Sequence, residues 1–304
     1  MEILYFLESV RMPFLDSVML LVTKLGEETA FLVMALIVFW CVDKRKAYYL
    51  LCVGFLGTMA NQFLKITCRI PRPWVLDENF TILEQAREAA TGYSFPSGHS
   101  QSAVGTFGAV AAVTGNKVVK WLCIAVCVLV PVSRLYIGVH TPADVLVGAA
   151  MALVLIVILK KPVLKGQNIS LNLLLCGMLI FSVLQLIYLE FWPFPADVDA
   201  HNMESAVKNA YTMLGCCSGT LILYHMEKKY VDFSTRAVWC AQILKVILGL
   251  AVVFAVKEGL RTPLEFVFQG HMVARAVRYA LVVVTAGFFW PMTFSLFSKL
   301  GVKK

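Results

Sequence analysis

Residues 118–160 read VVKWLCIAVCVLVPVSRLYIGVHTPADVLVGAAMALVLIVILK, and this stretch decides the fold class. Two apolar runs, 118–134 and 142–160, enclose a short segment that carries polar residues. A helix that crosses a hydrocarbon core of about 30 Å needs roughly 20 predominantly apolar residues. Both runs have about that length, so the stretch predicts two consecutive membrane-spanning helices with polar residues gathered at the surface between them.

The same kind of apolar run recurs along the rest of the chain. Of the 304 residues, 59% are hydrophobic and 15% are charged, whereas soluble domains average about 45–50% apolar and about 25% charged residues. This composition excludes a soluble globule, a disordered chain and a disulfide-stapled secreted domain. The sequence therefore predicts an all-α, polytopic transmembrane helical bundle of about nine spans. The predicted spans are 28–43, 47–65, 99–116, 118–134, 142–160, 171–191, 205–225, 237–257 and 276–298.

The segment before the first span has a different character. Residues 1–27 mix charged side chains with Leu, Phe and Met, which is typical of an amphipathic segment lying in the membrane interface. The segment is not a cleavable signal peptide, because no basic region leads it and no small-residue cleavage site follows. Further along, residues 161–170 form the best linker candidate, which divides five N-terminal spans from four C-terminal ones.

Positively charged residues set the predicted orientation. Cytoplasmic loops of membrane proteins are enriched in Lys and Arg, so the formal net charge of +8 indicates a membrane topology and not a nucleic-acid partner. The short basic loops are every second loop between the spans, so they all lie on the same side of the membrane. With that side in the cytoplasm, the N-terminus is outside and the C-terminus is inside. The basic residues are Lys44, Arg45, Lys46, Lys117, Lys120, Lys160, Lys161, Lys165, Lys228, Lys229, Arg236, Lys299, Lys303 and Lys304.

Three polar clusters lie at the opposite ends of the spans, on the predicted outer face. They are Lys65–Pro73, Pro96–His99 and Ser133–Asp144. The topology follows from the cytoplasmic basic loops alone, yet it brings all three clusters to one surface. Two independent signals therefore agree on the position of a polar site.

The clusters contain the parts of a phosphate-binding site. Lys65, Arg72 and Arg134 are cations that are costly near lipid unless an anion or polar groups balance them, and guanidinium groups match phosphate oxygens in geometry. Ser97 and Gly98 directly precede a predicted helix, where free backbone N–H groups form an anion site. We therefore predict that these five residues bind phosphate.

Two histidines supply the chemistry. Thr141 and Asp144 have the spacing typical of the first turn of a helix. The Asp144 carboxylate can therefore turn back and accept a hydrogen bond from His140. This arrangement suits phosphoryl transfer in which His140 attacks phosphorus, while His99 protonates the leaving oxygen and then activates water. No outer-face cluster of carboxylates offers a two-metal site, and we expect neither a metal ion nor another cofactor.

In this order the three clusters resemble the signature motifs of the type 2 phosphatidic acid phosphatase (PAP2) superfamily. The resemblance implies phosphate-ester hydrolysis and a helical catalytic core over residues 28–190, followed by a C-terminal transmembrane extension over 191–304. It also implies the site roles given above. The matching positions are Lys65, Arg72, Pro73, Pro96, Ser97, Gly98, His99, Ser133, Arg134, His140 and Asp144.

A looser resemblance to glucose-6-phosphatase exists in the topology and in the C-terminal half. The chain ends at Lys303 and Lys304 without the two further residues of a dilysine retrieval signal, which favours the cell membrane over the endoplasmic reticulum. Bacterial lipid phosphatases of the superfamily face outward from the cell membrane, in agreement with an extracytoplasmic active site. Pro73 and Trp74 follow the motif cation Arg72, and we predict that they line the substrate pocket.

The sequence leaves the substrate open. A lipid phosphate or lipid pyrophosphate that enters between the helices is the first hypothesis, because the site lies at membrane level, and a soluble sugar phosphate is the second. A phosphotransferase would use the same intermediate, and a lipid transporter would also be polytopic with buried charge. Besides the substrate we expect only membrane lipids as partners, and the oligomeric state is not predicted.

Overall fold

The computed structural model describes residues 1–87, 90–166, 168–196 and 198–298, with the side chains of Asn168 and Ser298 excepted. Lys299, Lys303 and Lys304, which we assigned to a cytoplasmic segment, lie outside the described residues. The described chain is helical and contains no β-strand, so the predicted all-α class is confirmed. The α-helices are α1 Glu2–Ser9, α2 Pro13–Thr23, α3 Glu28–Cys41, α4 Lys44–Cys68, α5 Pro73–Leu76, α6 Gly98–Val113, α7 Lys117–Ile137, α8 Pro142–Leu164, α9 Asn168–Phe191, α10 Ala200–Met226, α11 Trp239–Gly259, α12 Arg261–Val267, α13 Val273–Val284 and α14 Phe294–Ser298.

The helices agree with the predicted spans in position but do not confirm their number. Six helical segments of the described chain are long and apolar enough to cross a membrane, whereas α3 is shorter. Helix α6 has 16 residues, fewer than the roughly 20 that a bilayer requires. The chain is therefore a polytopic membrane protein, and the count of about nine spans stays a prediction. The six segments are Lys44–Leu76, Lys117–Ile137, Pro142–Leu164, Ile169–Phe191, Trp239–Val267 and Val273–Phe297.

The chain forms two compact units. The first comprises Met1–Leu32, Leu56–Lys160 and Pro193–Ala206, and the second comprises Val33–Phe55, Lys161–Trp192 and Val207–Lys304. All three polar clusters singled out in the sequence belong to the first unit. The predicted division into residues 1–27, 28–190 and 191–304 stays a prediction.

Residues 1–27 form an integral layer of the first unit. Leu4 is fully buried beside Phe80 and Ile137. On α2, Asp16 accepts a hydrogen bond from the hydroxyl of Tyr136 at 2.6 Å. Apolar side chains on the other faces of these helices stay exposed, including Phe6 and Phe14. The segment is thus packed on one side and apolar on the other, and its insertion into the membrane interface stays a prediction.

The second unit buries Lys245, a cation within a predicted membrane span. Its Nζ donates to the carbonyl oxygen of Trp40 at 3.1 Å and lies 4.5 Å from the ring centroid of Phe294. A backbone carbonyl and an aromatic face both favour an ammonium group in an apolar environment. These contacts give Lys245 a structural pairing that the sequence could not name.

Candidate active site

The backbone of residues 91–94 holds the first two cations. Lys65, in the last turn of α4, donates from Nζ to the carbonyl oxygens of Tyr93 and Ser94. Arg72 precedes α5 and donates from Nη2 to Thr91 O at 2.7 Å and from Nε to Gly92 O at 3.1 Å. Both side chains are buried. Because consecutive carbonyl groups restrain them, the two cations are oriented before any anion binds.

Arg72 also contacts the imidazole of His140. Its Nη1 lies 3.0 Å from Nε2 of His140 and 2.9 Å from the carbonyl oxygen of Val139. A guanidinium group can only donate hydrogen bonds, so Nε2 must accept, and the imidazole proton is then on Nδ1. The lone pair of Nε2 consequently points towards Arg72. Nε2 is therefore the ring nitrogen that could attack phosphorus once a bound phosphate engages the guanidinium in its place.

Asp144 and Ser94 lie on the Nδ1 side of His140. The Oδ2 atom of Asp144 is 3.5 Å from Nδ1, and the hydroxyl of Ser94 is also 3.5 Å from it. Ser94 donates to Oδ2 of Asp144 at 2.5 Å. The two 3.5 Å distances to Nδ1 are long for hydrogen bonds, but catalytic contacts often shorten only when substrate binds. The structure thus brings the predicted orienting carboxylate to His140 and adds a serine between them.

The start of α8 holds Asp144 in place. The backbone N–H of Thr141 donates to Oδ2 of Asp144 at 2.7 Å, and the N–H of Asp144 donates to Oγ1 of Thr141 at 3.3 Å. These reciprocal bonds form a capping box. One turn earlier, Gly138 ends α7 in the left-handed conformation, with φ at +89°. A short loop between two capped helices therefore carries His140.

The start of α6 differs in one respect from the prediction. Ser97 caps the helix, but its backbone N–H donates to the carbonyl oxygen of Asp144 at 2.9 Å, and its hydroxyl accepts from Ser100. Ser97 is fully buried. Its backbone N–H is thus used within the protein, and the N–H groups that α6 presents at its first turn are those of Gly98 and His99.

Gly98 leaves space at this helix start. Among the described residues, a Cβ added at Gly98 would meet only Oδ1 of Asn61, at an ordinary contact distance of 3.6 Å. Crowding by protein atoms therefore does not explain this glycine. The space lies where an anion would approach the backbone N–H groups.

Arg134 completes a set of three cations with Lys65 and Arg72, which we call the cage. It lies in the last turn of α7 and is 2% exposed. Its Nη1 donates to Oγ1 of Thr23 at 2.8 Å, whereas its Nε has no hydrogen-bond partner in the described chain. An unpaired donor on a buried guanidinium is costly in the free protein. A bound phosphate oxygen would satisfy it.

Burial and the three cations act on His140 together. Burial is the main cause that holds the pKa of His140 well below its ordinary value, and Arg72, Arg134, Lys65 and His99 lower it further. A cationic imidazole is disfavoured in a buried site that already holds three positive charges. Burial and the three cations therefore favour the neutral form of His140 in the free protein.

The pH profile should reflect this shift. Because the nucleophile must be neutral and its pKa is depressed, kcat/KM should persist as the pH falls through the ordinary histidine range near 6.5. The substrate phosphate itself ionises near pH 6, and its contribution to the profile has to be separated first. We then expect the fall of kcat/KM at acidic pH that reports on His140 to lie below the ordinary histidine range. Steady-state rates between pH 4 and 8 measure it. A fall at or above 6.5 would contradict the assignment.

Trp74 and Pro73 lie beside the site. Pro73 is buried at the first position of α5, and Trp74 is half-buried. The guanidinium carbons of Arg72 and Arg87 lie 5.8 Å and 5.3 Å from Trp74 ring centroids. These are cation–π distances. Trp74 thus links the cage cation Arg72 to the loop residue Arg87, and its contact with substrate stays a prediction.

Sequence reasoning missed several residues of this site. Ser94 bridges His140 and Asp144, and Asn61 donates to the carbonyl oxygen of Pro96 at 3.3 Å. A Cβ added at Gly148 would lie 2.5 Å from the carbonyl oxygen of Ser97, so a glycine lets α8 approach the start of α6. Asn61 precedes Lys65 by four residues and so lies on the same face of α4, a spacing that could have identified it. Ser94 and Gly148 carry no comparable signal.

Comparison with known proteins identifies the family. Residues 45–165 match the family model described as PAP2 superfamily, and residues 211–303 match the one described as PAP2 superfamily phosphatase, transmembrane extension. The chain belongs to the PAP2 superfamily. It is accordingly a phosphoric-ester hydrolase. The resemblance predicted from the three motifs is confirmed, and the narrower resemblance to glucose-6-phosphatase stays a hypothesis.

Individual relatives match the PAP2 region. The chain is 28% identical over 143 residues to undecaprenyl-diphosphatase BcrC of Bacillus subtilis, which covers 46% of this chain and 71% of the relative. It is 29% identical over 164 residues to phosphatidylglycerophosphatase B of the same organism, with 50% and 76% covered. It is 30% identical over 135 residues to undecaprenyl-diphosphatase of Sulfolobus acidocaldarius, with 44% and 64% covered. No solved structure matches the chain.

Proposed function

We propose that this PAP2 protein hydrolyses a membrane-borne lipid phosphate or lipid pyrophosphate through a phosphohistidine intermediate, without a metal ion. One observation carries the proposal. Nε2 of His140 accepts from Arg72, while Asp144 and Ser94 face the opposite ring nitrogen. A histidine oriented in this way presents its lone pair to a phosphorus atom held by the cations.

The reaction has two steps. Nε2 of His140 attacks phosphorus and forms the N–P bond as the P–O bond to the lipid breaks. His99, whose protonated form the negative charge of the bound phosphate favours, gives its proton to the leaving oxygen. His99 then takes a proton from water, whose oxygen forms a bond to phosphorus as the N–P bond to His140 breaks. Inorganic phosphate leaves and His140 is regenerated. In both steps Asp144 stabilises the positive charge that develops on the His140 ring.

The cage stabilises the transition state. Negative charge spreads over the three equatorial oxygens of the transferring group, and Lys65, Arg72 and Arg134 supply buried donors for it. The N–H groups of Gly98 and His99 add the positive end of a helix. Ser97 acts through this helix start, because its backbone N–H donates to Asp144 and its hydroxyl accepts from Ser100.

A lipid substrate agrees with the position of the site and with the relatives. The site residues lie at the ends of apolar helices, where a lipid headgroup would be located. The names of the relatives refer to undecaprenyl diphosphate and phosphatidylglycerophosphate. A soluble sugar phosphate and transfer to a second lipid are the competing reactions, and a transporter would release no phosphate.

A phosphate-release screen tests the proposal. Purified protein is assayed with phosphatidic acid, phosphatidylglycerol phosphate, undecaprenyl pyrophosphate, sphingosine 1-phosphate and glucose 6-phosphate, with and without a chelator. We expect release from at least one lipid, unchanged rates with chelator, and inhibition by vanadate, which mimics pentacoordinate phosphorus. A preference for glucose 6-phosphate would refute the lipid assignment. Loss of activity with chelator that a divalent ion restores would refute the metal-free mechanism.

The orientation is part of the proposal. The basic loops support a cell-membrane protein with the N-terminus and the active site outside and the C-terminus inside. Gln85 and Lys229 are exposed and lie on opposite predicted sides. On a cysteine-free background in intact cells, an impermeant thiol reagent should label Gln85→Cys but not Lys229→Cys. The reverse pattern would place the active site in the cytoplasm.

A further inference from the structure

Arg134 differs from the other cage arginine in how it is held. Arg72 donates to three backbone carbonyl groups and contacts His140. For the guanidinium of Arg134, the described chain shows one hydrogen bond, from Nη1 to Oγ1 of Thr23 at 2.8 Å. Both residues are buried, at 2% and 7% exposure. The orientation of Arg134 therefore depends on a hydroxyl at the end of α2, outside the three motifs.

The next turn of the chain packs against His99. Residues Lys24–Gly26 form a 3₁₀ turn directly after Thr23. A Cβ added at Gly26 would lie 2.9 Å from the carbonyl oxygen of His99, 3.0 Å from its Cβ and 2.9 Å from Cγ1 of Val130. These distances are tighter than nearly all real Cβ contacts, so a neighbouring residue would have to shift. The backbone at Gly26 thus packs directly against the first turn of α6.

Other contacts fasten the N-terminal segment to α7 near Arg134. Tyr136, two residues after Arg134, donates its hydroxyl to Asp16 at 2.6 Å, and its carbonyl oxygen accepts from Nε of Arg11 at 3.1 Å. The hydroxyl of Tyr5 donates to Asp77 at 2.7 Å, which connects α1 to the loop after α5. Hydrogen bonds therefore fasten the segment to α7 and to the loop after α5 before Thr23, and Gly26 packs against α6 after it.

We infer that residues 1–27 are a working part of the active site, in which Thr23 is a positioning residue for Arg134 and Gly26 is one for His99. The inference rests on the proposed function and assigns these roles to a segment that the motifs do not include. Without the Thr23 hydroxyl, Arg134 loses the bond that aims its remaining donors at the equatorial oxygens. Such a loss weakens transition-state binding more than substrate binding.

Substitutions at Thr23 test the first role. Thr23→Val removes the hydroxyl and keeps the shape, whereas Thr23→Ser keeps the hydroxyl. We expect Thr23→Val to lower kcat and vanadate affinity by about ten- to a hundredfold, with KM changing less, and Thr23→Ser to stay close to wild type. Ser17→Ala is the matched control, because Ser17 is exposed on the same helix and bonds only to Pro13 O in the described chain. Equal kcat and vanadate affinity in Thr23→Val and Ser17→Ala would overturn the inference.

Gly26→Ala tests the second role and serves if Thr23→Val does not fold. A methyl group there should displace His99, so with an aryl phosphate that has a good leaving group the phosphoenzyme should form but decay slowly. Decay at the wild-type rate, in a protein with unchanged thermal unfolding in detergent, would contradict the role of Gly26. Wild-type protein that binds vanadate but releases no phosphate from any lipid would refute the proposed function alone. The vanadate affinity of Thr23→Val would still decide the inference.

Discussion

Replacing His140 with Ala should abolish the phosphoenzyme and reduce turnover on the order of 10⁴-fold or more, because the attacking atom is removed. His99→Ala should behave differently. It should still form the intermediate from an aryl phosphate with a good leaving group, such as a nitrophenolate, because little protonation is then needed. The intermediate should persist, because no base activates water. General acid–base assistance contributes about 10²–10⁴-fold, so the residual rate should depend strongly on the pKa of the leaving group.

Rapid quench with phosphorus-labelled substrate distinguishes the two histidines. We expect acid-labile label on wild type and on His99→Ala, and none on His140→Ala. His201→Ala is the matched control, because His201 is exposed and belongs to none of the three motifs. Label retained by His140→Ala and absent from His99→Ala would mean that the two roles are exchanged.

Gly148→Val should have the next largest effect, although Gly148 belongs to none of the three motifs. A Cβ at this position would lie 2.5 Å from the carbonyl oxygen of Ser97, a backbone atom that cannot turn aside as a side chain would. Helix α8 carries Asp144 and α6 carries His99, so forcing the helices apart separates the two histidines. Overpacking of this kind costs about 1–3 kcal/mol in stability, and a 1 Å displacement in an active site costs about 10²-fold in rate.

The matched control for Gly148 is another helical glycine. A Cβ added at Gly177 in α9 has no heavy atom within 4 Å among the described residues, so Gly177→Ala should keep full activity and be neutral or slightly stabilising. Phosphate release and thermal unfolding measured on both variants test the pair. Wild-type kcat/KM in Gly148→Val would show that α8 and α6 tolerate separation.

The sequence was sufficient for the helices and for the residues of the three motifs. Hydropathy is a local property, so runs such as 118–134 and 142–160 could be recognised without tertiary information. The capping box of Thr141 and Asp144 is likewise local, and the structure forms it. The number of membrane spans is harder to predict from sequence. Helix α6 is formed, but its 16 residues are fewer than a bilayer requires.

One prediction about a motif residue was wrong. Ser97 was predicted to offer a free N–H group, and that group instead donates to the carbonyl oxygen of Asp144. The prediction counted the unpaired donors of an isolated helix start. A neighbouring helix that supplies an acceptor cannot be read from that start alone.

The sequence alone was enough to establish the helical class and the family, and it predicted which histidines, cations and carboxylate carry the chemistry. Only the tertiary structure decided how they are held. Ser94 bonds to Asp144 across 50 residues, and Arg134 bonds to Thr23 across 111. Neither Ser94 nor Thr23 has a distinctive neighbourhood in the sequence. Their roles arise because helix packing brings distant hydroxyl groups to buried charges, and the cost of leaving such charges unpaired depends on three-dimensional surroundings that no local pattern encodes.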